Sequence, residues 1–165
     1  VVAKLQPYFL QRENADYEMD YTIVEAYSEY RHAGVDFIPM IASHTDTDGE
    51  RGLIYLVHAQ GKSFLYATDS NTYIDRTRDC IKAHKVDAVI MECTFGDSEK
   101  QGGHMSFSRM LNEVRFFEES NIFNGRPQVY LTHMSPHRMP PYDMLVERLK
   151  GTCIQSAYDG MELEL

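Results

Sequence analysis

The stretch Ser63-Phe64-Leu65-Tyr66-Ala67-Thr68-Asp69 determines how the rest of the chain is expected to fold. Apolar and aromatic side chains fill its middle, and the run ends abruptly in a small residue, a hydroxyl and a carboxylate. This pattern is typical of a buried β-strand that presents an acidic side chain at the rim of a sheet.

Two later stretches repeat the same design. Asp87-Ala-Val-Ile-Met-Glu92 ends in a carboxylate, and Gln128-Val-Tyr-Leu-Thr-His133 ends in an imidazole. The sequence therefore predicts three buried strands, each delivering an acidic or metal-binding group at its carboxyl end.

Further strands and helices are predicted on both sides of these stretches. Strands over 21–30 and 35–41 are joined by a turn at 31–34, and strands over 53–58 and 63–68 by a turn at 59–62. Asn71 or Thr72 is expected to cap a helix that runs to about His84. Residues 1–10 are interpreted as the end of a helix.

The carboxyl-terminal half contains the clearest helix signal. Helical spacing over 106–120 predicts an amphipathic helix with five apolar positions, Phe107, Met110, Leu111, Val114 and Phe117. A helix over 142–150 is stopped by Gly151, and closing strands over 152–157 and 161–165 flank the Asp159-Gly160 turn. Strands that alternate with helices predict an α/β fold.

Composition limits the possible functions. The 165 residues are 43% hydrophobic, enough for a core, so residues 1–165 are interpreted as one domain or a large part of one. The formal charge of −9 argues against broad nucleic-acid binding. No apolar run reaches the roughly 20 residues of a membrane span, and the amino terminus lacks a signal-peptide pattern, so a cytoplasmic protein without membrane association is predicted. Three scattered cysteines suggest neither disulfides nor a thiolate zinc site.

The candidate functional residues are His44, Asp69, His104 and His133. Each lies at a predicted strand end or in the loop after one, and such loops converge on a common cleft. Imidazole and carboxylate ligands suit zinc, iron or manganese, and one carboxylate can bridge two cations. Two adjacent cations can hold a phosphodiester and activate water at neutral pH.

Each of these residue types also has an ordinary structural role. An isolated histidine is more often a surface or hydrogen-bonded core residue than a ligand, and we place the four remaining histidines in that class: His32, His58, His84 and His137. For Asp69 the ordinary alternative is a turn or helix-cap carboxylate before Ser70 and Asn71.

Five motifs, in order along the chain, resemble those of a known family. They are Gly61-Lys-Ser-Phe-Leu-Tyr-Ala-Thr-Asp69, Asp87-Ala-Val-Ile-Met-Glu-Cys-Thr-Phe-Gly96, Gly103-His-Met-Ser106, Leu131-Thr-His-Met-Ser135 and Ala157-Tyr-Asp-Gly-Met161. From about Val35 onward the chain resembles the carboxy-terminal half of a metallo-β-lactamase-fold hydrolase. The resemblance is to the PhnP-like phosphodiesterases and, more distantly, to tRNA-processing nucleases of the RNase Z type.

The resemblance implies a role for each candidate residue. His44 would bind a first metal ion, His133 a second, and Asp69 would bridge the two. His104 would contact the scissile phosphate or protonate its leaving oxygen, and Glu92 would orient neighbouring ligands through hydrogen bonds. The implied activity is that of a dinuclear phosphodiesterase, using two divalent zinc, manganese or iron ions on a cyclic or small nucleotide-like phosphate.

One departure from the family is large. Its His-x-His-x-Asp-His motif, which supplies most of the remaining ligands, occurs nowhere in the 165 residues. The chain is therefore interpreted as the carboxy-terminal portion of an αββα sandwich, inactive by itself and dependent on metal ligands outside it. Such a portion should expose an apolar sheet face that needs the missing amino-terminal half or self-association.

Three alternatives stay open at the level of sequence. An RNase Z-like nuclease is disfavoured by the acidic balance and the lack of a basic arm. Hydrolysis of a thioester or a lactone is compatible with the same fold, because a fold does not dictate the substrate. The chain could instead be a non-catalytic interaction domain that has lost its first metal motif.

Overall fold

The computed structural model describes residues 22–44, 51–99 and 102–164. Within them the chain forms seven strands: β1 (Tyr30–His32), β2 (Val35–Ile41), β3 (Leu53–Ala59), β4 (Lys62–Ala67), β5 (Ala88–Glu92), β6 (Val129–Thr132) and β7 (Ile154–Ser156). Three helices lie between them: α1 (Asp75–Lys82), α2 (Phe107–Glu119) and α3 (Tyr142–Leu149). This confirms the predicted α/β class, whereas the helix predicted over 1–10 lies outside the described residues.

The seven strands form one sheet whose spatial order follows the chain from β1 to β7. Strands β1 to β4 pair antiparallel, whereas β4 to β7 pair parallel. Parallel neighbours need a crossover, which α1, α2 and α3 supply in turn. All three crossovers advance in the same direction, so the right-handed rule places the three helices on one face of the sheet.

Two tight turns close the predicted hairpins. Ala33 and Gly34 have φ values of 48° and 82°, and Gln60 and Gly61 have φ values of 52° and 77°. Two consecutive left-handed residues are what a type I′ turn requires, and this turn matches the twist of the flanking strands.

The helix-covered face of the sheet contains the core. A row of paired residues crosses five strands and is buried throughout: Leu56, Leu65, Val89, Val129 and Ile154. Helix α2 packs four of its five predicted apolar residues into the same cluster: Phe107, Met110, Val114 and Phe117. Leu111 is the exception and stays 44% exposed.

The opposite face is apolar as well, and we call it the open face, formed by Phe37, Tyr55, Phe64, Tyr66 and Ile90. Tyr66 lies in the central strand β4, between its partners Tyr55 and Ile90, yet it is 44% exposed. A residue at the centre of a sheet stays exposed only if nothing covers that face. The described residues therefore leave this face uncovered.

Three local predictions were wrong. Of the strand predicted over 21–30 only Tyr30 is in a strand among the described residues, because Tyr27 adopts a left-handed φ of 71°. Residues 161–164 form no strand. Helix α1 begins only at Asp75, after the N-cap Ile74, which makes no side-chain cap hydrogen bond.

Candidate metal centre

Two candidate ligands lie just beyond the carboxyl ends of parallel strands. Asp69 follows β4 by two residues, and His133 directly follows β6. Both have a left-handed backbone, with φ values of 62° and 51°. This conformation costs a residue other than glycine about 1–2 kcal/mol, and such local strain is often found at functional sites.

The four candidate side chains lie together around one oxygen atom. Asp69 Oδ1 is 3.3 Å from His44 Nε2, 3.5 Å from His104 Nδ1 and 3.5 Å from His133 Nε2. The His104 ring centroid lies 5.0 Å from that of His44 and 5.6 Å from that of His133. The structure thus brings together all four residues that the sequence singled out.

Glu92 fixes the orientation of the His104 ring through a hydrogen bond to Nδ1. Its side chain is fully buried, and Oε1 accepts a hydrogen bond from His104 Nδ1 at 3.0 Å. Oε2 accepts from the backbone N–H groups of Thr94 and Met105, each at 3.2 Å. Nδ1 is thus the ring nitrogen that Glu92 engages, and Nε2 is the His104 nitrogen that Glu92 leaves available.

The loop that carries His104 is anchored at both ends. Phe95 N–H donates to the carbonyl oxygen of Met105 at 2.8 Å, and Phe107 N–H donates to that of Gly96 at 2.7 Å. Gly96 has a φ of 50°, and a Cβ atom there would collide with the carbonyl oxygen of Arg138. Only glycine satisfies both conditions, so Gly96 allows the loops after β5 and β6 to approach each other.

The donor set fits a divalent transition metal. Nitrogen and oxygen ligands lie about 2.0–2.2 Å from zinc, so two ligands at tetrahedral angles are about 3.4 Å apart. The separations of 3.3 and 3.5 Å between the carboxylate oxygen and the histidine nitrogens match this spacing. Donor atoms of His44, Asp69 and His104 also all lie within 4.8 Å of one another.

Three other metal-capable side chains, those of His58, His84 and Cys93, have surroundings of their own away from Asp69. His58 Nδ1 pairs with Ser63 Oγ at 2.7 Å, and His84 Nδ1 with the carbonyl oxygen of Cys80 at 2.8 Å. Burial raises the pKa of the Cys93 thiol to about 12, so Cys93 stays a neutral thiol beside Glu92. These groups therefore have the ordinary structural roles expected of them.

Two residues near the site were missed as functional residues from the sequence. Thr94 Oγ1 donates to the backbone carbonyl of His133 at 2.6 Å and so joins the loops after β5 and β6. Asn71, interpreted as a helix cap, donates from Nδ2 to the carbonyl oxygen of Gly102 at 2.6 Å. Both contacts join segments more than 30 residues apart, with separations of 39 and 31 residues, and no local pattern signals them.

Solved structures share this architecture. The metallo-β-lactamase-fold protein YhfI from Bacillus subtilis superposes with a TM-score of 0.65 and 14% identity, over 97% of this chain and 61% of its own. Igni18, a metallo hydrolase from Ignicoccus hospitalis, superposes with a TM-score of 0.60 and 11% sequence identity. The match covers 86% of this chain and 60% of Igni18. CmlA, a diiron β-hydroxylase from Streptomyces venezuelae, superposes with a TM-score of 0.58 and 14% sequence identity. The match covers 85% of this chain and 34% of CmlA.

These likenesses show the fold. The chain has the metallo-β-lactamase fold, as the sequence predicted, and it spans about 61% of the length of YhfI. No family model and no curated protein matches the sequence. Among the described residues, no helix is both long and apolar enough to cross a membrane.

Proposed function

We propose that this chain is part of a metal-dependent hydrolase, specifically a dinuclear phosphodiesterase of the PhnP-like type. The observation that carries the proposal is the convergence of His44, His104 and His133 on a single carboxylate oxygen of Asp69. Two imidazoles and a carboxylate at one edge of a sheet, with the His104 ring beside them, form a nitrogen and oxygen donor set suited to zinc, manganese or iron.

In this proposal His44 and His133 would each hold one metal ion, and Asp69 would contribute to holding both. Bound divalent ions lower the pKa of water and stabilise negative charge on a phosphoryl group. The chain's own contribution is proton transfer: His104 presents Nε2 to the leaving oxygen, while Glu92 accepts from Nδ1 and stabilises the protonated ring. A ring held in this way could also bind a metal through Nε2, so the two roles must be separated by experiment.

A small phosphodiester is the proposed substrate class, either cyclic or nucleotide-like. The formal charge of −9 repels an extended phosphate backbone, whereas a compact phosphate needs only local positive charge from metal ions. The same charge makes an RNase Z-like nuclease the weaker alternative.

The remaining metal ligands are proposed to come from outside these 165 residues. The ligands that the proposal draws from the described residues number one carboxylate and two imidazoles, fewer than two ions normally require. An amino-terminal half or a second copy that covers the open face would lie beside the same sheet and could supply them. We therefore expect the isolated chain to be inactive.

The test combines metal content with turnover in the complete protein that contains this sequence. With a 2′,3′-cyclic nucleotide as the substrate, whose alkoxide leaving group needs a proton, Asp69→Ala should remove both bound metal and activity. His104→Ala should reduce turnover at least 100-fold and leave the metal content intact, because general acid catalysis contributes about 10²–10⁴-fold. His32→Ala, an exposed histidine on β1, is the matched control and should change neither.

Other outcomes identify the competing functions. Loss of metal in His104→Ala would make His104 a ligand and refute its assigned role. Turnover of thioesters or lactones in place of phosphodiesters would show that the substrate belongs to one of those classes and is not a phosphodiester. A complete protein that binds no metal and hydrolyses nothing would support a non-catalytic interaction domain.

A further inference from the structure

Asn71 touches all three segments that carry His44, Asp69 and His104. It lies two residues after Asp69, and its backbone N–H donates to the carbonyl oxygen of Ser43 at 2.8 Å, next to His44. Its side-chain Nδ2 donates to the carbonyl oxygen of Gly102 at 2.6 Å, two residues before His104. We propose that Asn71 is a positioning residue that sets the separation of these three side chains; the inference rests on the proposed function of that site.

The hydrogen bonds of the Asn71 side-chain amide allow only one orientation of that group. Oδ1 accepts from the backbone N–H of Thr72 at 2.8 Å, so the amino group is the end that faces Gly102. The carbonyl oxygen of Gly102 can only accept, and the amide nitrogen can only donate. An aspartate at position 71 would still accept from the Thr72 N–H. Its second oxygen would face the carbonyl oxygen of Gly102, and two acceptors form no hydrogen bond.

The neighbouring Ser70 secures the same segment to the residue before His44. Its side chain is fully buried, and Oγ accepts from the backbone N–H of Ser43 at 3.0 Å. The Ser70 hydroxyl in turn donates to the carbonyl oxygen of Asn71 at 3.0 Å. The backbone around Asn71 is therefore fixed relative to His44 and Asp69, and the Asn71 side chain is the element that reaches the third segment.

A role limited to local structure does not account for this contact. Helix α1 begins at Asp75 with Ile74 as its N-cap, so Asn71 does not cap it. The Asn71–Gly102 hydrogen bond spans 31 residues and joins the loop after β4 to the loop after β5. Glu92 already orients the His104 ring relative to β5. Asn71 adds a separate constraint, namely the distance between the His104 loop and the Asp69 loop.

Amide hydrogen exchange of this chain tests the proposal without requiring metal or turnover. In Asn71→Ala and Asn71→Asp, exchange at 102–105 should become about five- to tenfold faster, the effect of losing one neutral hydrogen bond on local opening. Exchange in β4, β5 and β6 should stay as in the wild type. The matched control is Asn124→Ala, which removes an exposed asparagine far from Asp69 in sequence and should leave 102–105 unchanged.

Two results would overturn the inference. Unchanged exchange at 102–105 in both Asn71 variants would show that the amide does not hold the loop. Equal acceleration across the whole sheet would show a general folding role instead.

Turnover of the complete protein supplies a second, independent readout. Asn71→Ala should lower kcat about 10- to 100-fold, the usual range for groups that orient metal-site residues, with KM and metal content close to wild type. A rise in KM at constant kcat would contradict a positioning role. If the wild type hydrolyses no phosphodiester, the proposed function fails, and the exchange experiment still decides the role of Asn71.

Discussion

Glu92 shows how much one buried residue contributes to the candidate site. Its two oxygens accept three hydrogen bonds, from the His104 ring and from the backbone of Thr94 and Met105. All three partners are donors, so position 92 needs two acceptor oxygens. A side chain that donates there would leave at least one of these partners unpaired.

Replacing Glu92 with Gln should therefore destabilise the fold and misorient His104. The new amide nitrogen must face at least one N–H donor, which leaves a buried donor unpaired and lowers the free energy of unfolding by about 1–3 kcal/mol. Urea denaturation measures this loss. Gln155→Glu, at an exposed position of β7, is a control of the same chemistry and should change stability little. Wild-type stability in Glu92→Gln would contradict the hydrogen-bond assignment.

The three cysteines should differ in reactivity. Burial raises the pKa of Cys93 to about 12, so at pH 8 the thiolate is about one part in ten thousand of the total. Cys80 and Cys153 are only half-buried. Alkylation by iodoacetamide at pH 8, followed by peptide mass spectrometry, should label Cys93 slowest, and its rate should increase with pH towards 12. Equal rates at all three sites would contradict the buried position of Cys93.

Gly96, where the loops after β5 and β6 approach each other, should tolerate no side chain. Its left-handed backbone alone costs a substituted residue about 1–2 kcal/mol, and a Cβ atom would also strike the Arg138 carbonyl oxygen. Gly96→Ala should therefore lower the free energy of unfolding by more than Gly125→Ala. Gly125 has a φ of 85° with open space around it, so it reports the backbone cost alone. Equal losses in urea denaturation would show that the loop after β6 does not approach Gly96.

Helices α1 and α2 are joined by an ion pair between the part-exposed Arg78 and the buried Glu113. Arg78 Nη2 lies 2.5 Å from Glu113 Oε1, and the Glu113 side chain is fully buried. Desolvation raises the pKa of Glu113, and Arg78 opposes that shift. A folded-state pKa above the unfolded value of 4.5 means that ionisation opposes folding, so this contribution destabilises the protein as pH rises through the folded pKa.

Arg78→Met should strengthen this pH dependence and cost about 3–5 kcal/mol, because it leaves Glu113 buried and unpaired. The loss should be small at pH 4 and large at pH 8, measured by urea denaturation at both values. Arg78→Met combined with Glu113→Leu should recover most of the stability at pH 8. A pH-independent loss would show that Glu113 is not the responsible charge.

The elements that the sequence predicted correctly are those with local signals. Helix α2 has Ser106 as its N-cap and apolar residues at helical spacing, and its bounds were predicted to within one residue at each end. The hairpin over β3 and β4 has Gly61 at a left-handed position. The start of α1 was predicted too early because the Asn71 amide binds Gly102, a contact made through the tertiary structure. Likewise, Tyr27 leaves the extended conformation and donates its backbone N–H to Pro39.

The same distinction applies to the candidate site. His44, Asp69, His104 and His133 were found because each follows a strand or occupies a family motif. Thr94 and Asn71 make contacts that depend on how separate loops meet, so no spacing along the chain indicates them. The roles of the four site residues stay predictions until metal content and turnover are measured.

At the scale of the whole molecule, the open face should govern association. Tyr66, Tyr55 and Ile90 present apolar surface at the middle of the sheet, and soluble proteins rarely leave such patches uncovered. The isolated 19.1 kDa chain should therefore form dimers or larger species at micromolar concentration in native mass spectra.

Tyr66→Glu should weaken this association at least tenfold, because it places a charge in the contact. Tyr158→Glu is the matched control, since Tyr158 is 58% exposed and lies beyond β7, outside the open face. Monomeric wild-type protein at these concentrations would argue against self-association, and an equal effect of both substitutions would place the contact elsewhere.

The order of the strands has a consequence for how the domain is made. Strands β1 to β7 lie side by side in the order in which they are synthesised. Each new strand therefore pairs with the one that left the ribosome just before it, and no strand waits for a distant partner. The sheet can grow by one edge during translation, with hairpins first and helical crossovers afterwards, and it ends at the short strand β7.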